Sequence, residues 1–380
     1  MSTDIVVTGL GQRSSLGQNV SQLWESLLAA RSGFKPLDVV GRFGRGLGAP
    51  LLQQASSPSE RIRCALHSSV CEAIGDSGLV STATTPALEC PAVIGTNFGD
   101  SETYLEHGDY LQSARDVLAE VGHCGELWAV STACASGVGA LGIAFDLIRC
   151  DGADVVLACA YDVITTYNYG GLASLKALSP EVIRPFDKAR NGTLLGEGAA
   201  ALILERREHA EGRGATIYGE ILGYGIANDG YHFTAPEPSG LGMRLAMTQA
   251  LVESGLSATD IGHVNAHGTG TPHNDRIESS SIRAVFGQAA IGLAVTSIKS
   301  AIGHTMGAAG ALELIATILS VRHGVVPPTL NHEESDPELG PGLDFVFDSP
   351  RSVHKSAAMS NSYGLWGCNS SVVVRRGDES

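Results

Sequence analysis

The sequence is short of positive charge and of long apolar runs. Its 380 residues hold 25 lysines and arginines against 40 aspartates and glutamates, which gives a formal net charge of −15. Because phosphate affinity needs concentrated Lys and Arg, this balance argues against a nucleic acid or an anionic membrane surface as the partner. No run of about 18 uninterrupted apolar residues is present, so no membrane-spanning helix is expected.

Secretory and cross-linking signals are also missing. The beginning, MSTDIVVTGLG, has neither a positively charged segment nor a long apolar one. We therefore expect a soluble cytoplasmic protein. Eight cysteines are scattered without a C-x-x-C pair, which indicates neither a zinc site nor a disulfide framework.

What the chain has is an alternation of strand-like and helix-like apolar segments, which is typical of an α/β layered fold. The predicted strands are 4–9, 92–97, 153–160, 199–205, 217–226, 263–268 and 370–376. The predicted helices are 20–30, 60–78, 136–150, 240–255 and 307–324.

Two helical segments resemble each other. The stretches 138-VGALGIAFDLIRCDGA-153 and 309-AGALELIATILSVRHGV-325 share a G-A-L start, an apolar helix and a closing glycine. This likeness indicates either an internal duplication or a chance similarity between two Ala/Gly-rich helices. The polar stretch 206–215 offers a midpoint, so we expect two halves, at 1–208 and 209–380.

One cysteine stands out from the others by its surroundings. Cys134 follows a strand-like VST and precedes an Ala/Gly-rich helix, in 129-AVSTACASGVGALGIAFDLI-148. Its sulfur would face the positive end of the helix dipole, which lowers a thiol pKa and favours the thiolate. Taken alone, a buried cysteine is more often inert than nucleophilic.

Two histidines favour the catalytic alternative. His267 ends an apolar strand and is followed by alternating glycines and threonines, in 265-NAHGTGTPHNDRIE-278. His304 precedes an Ala/Gly-rich helix, with Lys299 upstream and Glu313 downstream. Packing alone hardly explains two histidines in glycine-rich turns together with a cysteine at a helix start.

Several long motifs then point to one family. They are TACASG (132–137), RPFDKARNGTLLGEGAAALILE (184–205), DGYHFTAPEPSG (229–240), NAHGTGTPHNDRIE (265–278), KSAIGHTMGAAGALE (299–313) and NSYGLWGCN (361–369). In this order they resemble the β-ketoacyl-acyl carrier protein synthases of the type II elongating group, within the thiolase-like superfamily. The resemblance implies a thiolase-like fold of two similar halves in five αβαβα layers, which favours duplication over chance.

The resemblance also implies roles for the catalytic residues. Cys134 would carry the growing acyl chain as a thioester, and the backbone N–H groups of Cys134 and Leu365 would form the oxyanion hole. His267 and His304 would donate hydrogen bonds to the malonyl thioester carbonyl, so that loss of CO₂ leaves a stabilised enolate. Lys299, paired with Glu313, would hold His304 in position.

Substrate delivery follows from the same resemblance. No bound cofactor is expected, because the phosphopantetheine of an acyl carrier protein would bring the substrates. The matching pantetheine-contacting positions are Thr234, Thr269 and Thr271. Asp275 and Glu278 could ligate a cation, but carboxylates at a helix start need no metal, and none is expected. Arg61 and Arg63 could meet an acidic carrier protein or form an ordinary solvated face.

The sequence departs from the family at its gate. The usual N-S-F-G-F-G-G-T-N is replaced by NSYGLWGCN, so that Leu365 stands at the gating phenylalanine and Trp366 at a glycine. Thr193 also stands where phenylalanine is usual. If the Trp366 ring faces the acyl tunnel, we expect selectivity for a restricted acyl set, in a specialised fatty acid or polyketide pathway.

Three functions remain open at this point. Decarboxylative condensation is favoured, because the cysteine, both histidines and the lysine are all present. The alternatives are an acyltransferase acting on an amine or alcohol without decarboxylation and a noncatalytic chain-length partner, which Cys134 argues against. The expected partners are an acyl carrier protein and a second subunit, in a homodimer or in a heterodimer with a related ketosynthase or chain-length factor.

Overall fold

The computed structural model describes residues 4–37, 46–52, 55, 57–79, 88–150 and 152–377. Its strands are β1 (Ile5–Ser14), β2 (Lys35–Leu37), β3 (Gly46–Gly48), β4 (Ala92–Gly95), β5 (Leu127–Val130), β6 (Val155–Asp162), β7 (Gly198–Arg206), β8 (Gly219–Asn228), β9 (Ile261–Asn265), β10 (Ala294–Thr296), β11 (Val325–Val326), β12 (Asp344–Phe345), β13 (Arg351–Ser352), β14 (Ala357–Tyr363) and β15 (Cys368–Arg376). Its helices are α1 (Val20–Leu28), α2 (Pro58–Ser77), α3 (Tyr104–His107), α4 (Gln112–Glu120), α5 (Ser136–Arg149), α6 (Thr166–Ser174), α7 (Arg207–Gly212), α8 (Leu241–Ser254), α9 (Pro272–Phe286), α10 (Lys299–Ile302) and α11 (Ala309–His323).

One mixed sheet of eleven described strands organises the chain, in the order β12-β10-β9-β14-β15-β8-β1-β7-β6-β4-β5. Read outward from β1, the first half-sheet runs β1-β7-β6-β4-β5, and read outward from β8, the second runs β8-β15-β14-β9-β10. In both, the first two pairings are antiparallel and the next two are parallel. This repeat of order and direction supports duplication over chance. The predicted boundary at 208/209 falls within α7, between the half-sheets, and stays a prediction.

The two similar helices occupy equivalent places in the two halves. Helix α5 connects β5 to β6, and α11 lies between β10 and β14. They pack together through glycines, since a Cβ on Gly137 would lie 2.7 Å from the backbone nitrogen of Ala311. Side chains of both helices join residues of both half-sheets in one buried apolar cluster. The pair α5 and α11 therefore forms the middle layer.

The outer layers complete the predicted arrangement. Helices α2 and α4 share a second apolar cluster with the outer face of the first half-sheet. Helices α8 and α9 do the same on the second half-sheet. The result is the predicted αβαβα order of layers. Within the described residues, no helix combines the length and apolar character that a membrane crossing requires.

Candidate active site

A tight turn before α5 carries Cys134. Ala133 adopts a positive φ of 53°, and the Ser136 hydroxyl accepts a hydrogen bond from Thr132 N at 3.0 Å and donates to Ala133 O at 2.6 Å. These contacts fix the turn, so that Cys134 lies directly at the start of the central helix. Its side chain is buried and lines a cavity. The predicted position at a helix start is confirmed.

His304 meets this cysteine from the second half of the chain. Its Nε2 atom lies 3.0 Å from Cys134 Sγ. The backbone N–H of Met306 donates to His304 Nδ1 at 3.4 Å. Because a neutral imidazole carries one proton, an accepting Nδ1 leaves that proton on Nε2. His304 therefore presents an N–H group to the sulfur and to the cavity.

A hydrogen bond from Lys299 fixes the same tautomer in His267. Lys299 Nζ donates to His267 Nδ1 at 3.2 Å and also to the carboxylate of Glu313. An ammonium can only donate, so the His267 proton also resides on Nε2. The prediction that Lys299 holds His304 was wrong in its target, because the hydrogen bond goes to His267. The two imidazole rings lie 5.4 Å apart, nearly perpendicular.

Burial controls the protonation of these groups. It lowers the pKa of both His267 and His304 well below the ordinary histidine value, and the positive charge of Lys299 lowers them further. Both rings are therefore neutral donors near pH 7. Burial also raises the pKa of the Cys134 thiol to about 12, opposed by Lys299 and by the backbone N–H of Leu365. The expected lowering by the helix dipole is thus outweighed by desolvation.

The predicted second oxyanion donor lies where it would be needed. The backbone N–H of Leu365 lowers the pKa of the Cys134 thiol, as a donor directed at the sulfur would. Leu365 follows β14 and begins a single 3₁₀ turn, which brings the loop over the cysteine. A carbonyl oxygen bound beside the sulfur would meet the same N–H. The pairing of this group with the Cys134 amide as an oxyanion hole stays a prediction.

A single cavity of about 450 Å³ joins the predicted residues. Cys134, His267 and His304 line its floor, while Lys299 and Glu313 lie buried behind the histidines. The predicted pantetheine contacts, gate residues and Thr193 also line it, namely Thr193, Thr234, Thr269, Thr271, Leu365 and Trp366. The hydroxyls of Thr269 and Thr271 are 2.9 Å apart.

Trp366 stands at the mouth of this cavity. Its φ of 60° lies in the left-handed region, where glycine is favoured, and 54% of the residue is exposed. Its N–H donates to Phe233 O at 2.8 Å, and its carbonyl accepts from Asn228 Nδ2 at 3.0 Å. One backbone hydrogen bond and one side-chain hydrogen bond therefore join the loop that carries Trp366 to the segment 228–233. Because about half of the residue is in solvent, Trp366 lies at the entrance of the cavity and not in its depth, and its role as a gate stays a prediction.

We expect Trp366→Gly to widen the range of acyl groups that enter. Glycine accepts the positive φ without strain, so the loop should keep its path while the ring is lost. Poorly accepted long or branched acyl groups should gain about tenfold in kcat/KM relative to the best one, a size typical of removing one steric contact. A competition among carrier-bound acyl chains measures this, with Trp366→Phe as the control that keeps a ring. An unchanged profile in Trp366→Gly would show that the ring does not restrict entry.

Three buried carboxylates support the site by hydrogen bonds to its loops, and the sequence did not predict this role. Glu278 accepts hydrogen bonds from the backbone N–H groups of His267 and Gly268, both at 2.8 Å, and Asp275 accepts from the loop at Gly270. Glu278 and Asp275 therefore hold the loop that follows His267. Among the described residues, no group of side chains is arranged to bind a metal ion. The third carboxylate, Asp162, had no local signal at all.

The surface arginines considered for carrier binding are engaged within the chain. Arg61 Nε pairs with the buried Glu197 at 3.0 Å and its guanidinium also donates to Ile164 O. Arg63 forms ion pairs with Asp116 and Glu120 on α4. Arg61 is therefore a structural residue and offers little free charge to a carrier protein.

Comparison with known proteins agrees with this geometry. The model of the β-ketoacyl synthase N-terminal domain matches residues 2–45 and 53–210, and that of the C-terminal domain matches residues 218–333. The chain belongs to the β-ketoacyl synthase family. The 3-oxoacyl-[acyl-carrier-protein] synthase 2 of Coxiella burnetii is 35% identical, over 98% of each chain.

Two solved ketosynthase structures resemble this protein over nearly its whole length. One is the ishigamide ketosynthase/chain length factor, with a TM-score of 0.88 and 31% identity over 99% of this chain and 100% of the other. Another is a complex of a type II polyketide synthase acyl-carrier protein with its ketosynthase bound to a hexaketide, with a TM-score of 0.90 and 29% identity over the same shares. The predicted thiolase-like fold class is confirmed.

Proposed function

We propose that this β-ketoacyl synthase catalyses decarboxylative Claisen condensation of malonyl-carrier protein with an acyl chain held on Cys134. The observation that carries the proposal is the convergence of the Cys134 sulfur with two neutral imidazoles. His304 Nε2 lies 3.0 Å from the sulfur, and the His267 ring lies 5.4 Å from that of His304. One nucleophile and two N–H donors suit acyl transfer followed by enolate formation.

The first half-reaction loads the acyl chain. The Cys134 sulfur attacks the thioester carbonyl, the carbon–sulfur bond to pantetheine breaks, and the thiol proton leaves with the pantetheine sulfur. Lys299, the His304 N–H and the Leu365 N–H stabilise the negative sulfur against the cost of burial. The Cys134 and Leu365 amides then hold the developing oxyanion, and each such donor contributes about 3 kcal/mol.

The second half-reaction extends the chain. His267 and His304 donate to the thioester carbonyl of the malonyl group, so that the carbon–carbon bond to CO₂ breaks with the negative charge delocalised onto that oxygen. The enolate carbon attacks the acyl-Cys134 carbonyl, and the Cys134 sulfur leaves. Lys299 keeps His267 in the donating tautomer, and Glu313 accepts a hydrogen bond from Lys299 and holds it in place.

A phosphopantetheine arm fits the entrance. Thr234, Thr269 and Thr271 line the path to Cys134 and offer hydroxyl groups for its amides. Acyl carrier protein is therefore the proposed delivering partner, as in the complex named above. We propose no further cofactor, since the substrates arrive on this carrier. We also propose a cytoplasmic location.

A second subunit is proposed at the edge of the sheet. Strand β5 ends the sheet on one side, and Trp128 on this strand is 45% exposed. An exposed edge strand with a large aromatic side chain is a ready template for pairing with another chain. A homodimer, or a heterodimer with a related ketosynthase or chain-length factor, would cover it.

A restricted acyl set remains the proposed specificity. Trp366 narrows the entrance, and the buried Thr193 replaces a bulkier ring at the cavity wall. These two changes alter the shape of the cavity at different depths. They favour a specialised fatty acid or polyketide pathway over broad elongation of long saturated chains.

Acylation by substrate is expected at Cys134 alone. Among the described residues, Cys134 is the cysteine that contacts His304. Cys71, Cys124 and Cys150 are exposed and will react with general alkylating reagents. Acyl-carrier protein is therefore the appropriate probe, with peptide mapping by mass spectrometry and Cys134→Ala as the unlabelled control. A label on Cys368, beside the cavity mouth, would contradict the assignment.

The same incubation with malonyl-carrier protein tests the reaction. We expect CO₂ release and a β-ketoacyl product in one to one proportion. Acyl transfer to an added amine or alcohol without CO₂ would instead indicate the acyltransferase. Absence of acylation and of CO₂ release would indicate a noncatalytic chain-length partner.

A further inference from the structure

A buried carboxylate joins the two halves of the chain beside the active site. Asp162, the last residue of β6, is completely buried. Its Oδ1 accepts from the Thr96 hydroxyl and the Phe98 N–H, both at 2.9 Å. Its Oδ2 accepts from the Asn97 N–H at 2.9 Å and from the Gly307 N–H at 2.7 Å. Three donors thus come from the first half and one from the second.

The Gly307 contact leads directly to a catalytic histidine. Gly307 belongs to the 3₁₀ turn Met306–Ala308, whose first residue adopts a positive φ of 53°. The N–H of Met306 is the donor to His304 Nδ1. A Cβ on Gly307 would lie 2.6 Å from both Asp162 Oδ2 and Asn97 N, so this turn is seated tightly on the carboxylate.

The same carboxylate also shapes the cavity. Asn97, Phe98 and Met306 line it, and each belongs to a segment whose backbone Asp162 holds. No ion pair with Asp162 occurs among the described residues, so its charge is balanced by hydrogen-bond donors. A buried charge of this kind is costly unless every acceptor site is used. Burial raises the pKa of Asp162 to about 6, although the four donors oppose this shift by favouring the ionised form.

We propose that Asp162 is a positioning residue, which seats the 306–308 turn so that Met306 holds His304 in its Nε2–H tautomer. The proposal rests on the proposed function, because that tautomer is the one needed to donate to the malonyl thioester. Asp162 touches neither the sulfur nor the substrate. It acts through the turn, and its loss weakens the step that depends on the His304 donor most strongly.

Asp162→Asn tests this with almost unchanged shape. The single oxygen of asparagine can accept from only one of the two pairs of donors. Its NH₂ group would then face either the N–H groups of Asn97 and Gly307 or the Thr96 hydroxyl and the Phe98 N–H. We expect kcat for malonyl decarboxylation to fall about 100-fold, as for a displaced catalytic group, while acyl transfer to Cys134 slows by a much smaller factor. The KM for malonyl-carrier protein should change little, since the cavity entrance is untouched.

A spectroscopic measurement separates positioning from general damage. In ¹⁵N spectra of histidine-labelled protein, His304 is identified by the signal lost in His304→Ala. We expect the Nε2–H tautomer in the wild type and a mixture of tautomers in Asp162→Asn. Asp100→Asn is the matched control, because Asp100 is a buried carboxylate in the loop of Asn97 and Phe98 that accepts from Ser113 on α4 and not from the turn. It should change neither the ratio of half-reactions nor the tautomer.

A second variant keeps the test decisive if Asp162→Asn does not fold. Gly307→Ala leaves the carboxylate in place and pushes the turn away from it, and we expect the same selective loss of decarboxylation. A folded Asp162→Asn or Gly307→Ala with a wild-type ratio and tautomer would overturn the inference. A wild-type protein that releases no CO₂ would instead refute the proposed function, and the tautomer comparison would still decide the role of Asp162.

Discussion

His267→Ala is expected to abolish most malonyl decarboxylation while leaving acyl transfer to Cys134 nearly intact. The His267 N–H is needed where enolate charge develops, and removal of one such donor costs about 100-fold to 1,000-fold in rate. His267 does not contact the sulfur, whereas His304 Nε2 lies 3.0 Å from it. The measurements are CO₂ release from malonyl-carrier protein and the rate of thioester formation on Cys134, followed separately.

His304→Ala provides the comparison for this result. Its loss should impair decarboxylation equally, but it should also slow acyl transfer, because the thiolate loses a hydrogen-bond donor. The ratio of the two half-reactions is therefore expected to be more extreme for His267→Ala than for His304→Ala. Equal losses in both half-reactions for both variants would contradict the division of roles.

The fold was largely predictable wherever apolar periodicity was strong. Each predicted strand and helix is present, with ends displaced by a few residues. Strand β1 extends to Ser14, beyond the predicted end at 9, because it pairs with β7 as far as Gly198. Such a pairing between distant parts of the chain leaves no signal in the local sequence.

Two of the missed elements, β14 and α9, are rich in polar or small residues. Strand β14 reads AAMSNSY and is buried along its whole length, although its residues show no apolar alternation. Helix α9 reads PHNDRIESSSIRAVF, in which buried serines and carboxylates interrupt the few apolar residues of the buried face. Both lie beside the active site, where chemistry and loop support determine the residues more than hydrophobic packing does.

The residues of the site also divide into those that the local sequence predicted and those that it did not. Cys134 and the two histidines were recognisable because each stands in a glycine-rich turn at the end of an element. The histidine that Lys299 contacts and the role of Asp162 were not predictable, because they depend on which distant segments meet. Asp162 and Gly307 are 145 positions apart in the chain. The raised pKa of the thiol escaped prediction for a related reason, since burial is a property of the whole fold.

The buried pair behind His267 leads to the second large effect. Lys299 and Glu313 are almost completely buried and form an ion pair. Lys299→Met removes one partner and leaves a buried carboxylate without its cation, which typically costs roughly 3–5 kcal/mol. Decarboxylation should also be lost, because His267 Nδ1 no longer receives a hydrogen bond. The free energy of unfolding, measured with denaturant, should therefore fall strongly above neutral pH.

The pH dependence of this loss identifies its cause. Burial raises the pKa of Glu313 to about 7 even though Lys299 opposes the shift, so Lys299→Met moves the folded-state pKa higher still. A carboxyl whose folded pKa exceeds its unfolded value contributes stability that is complete below the unfolded pKa and is lost as pH rises through the folded one. In the wild type this loss ends near pH 7, but in Lys299→Met it continues to higher pH. The stability deficit of Lys299→Met should thus be small in acid and grow above neutrality.

The double variant Lys299→Met/Glu313→Gln is the control. It has no carboxyl to ionise at this position, so it should recover most of the stability and show no such growth with pH. A deficit of constant size across this range, equal in the single and double variants, would show that Lys299 contributes packing and not charge.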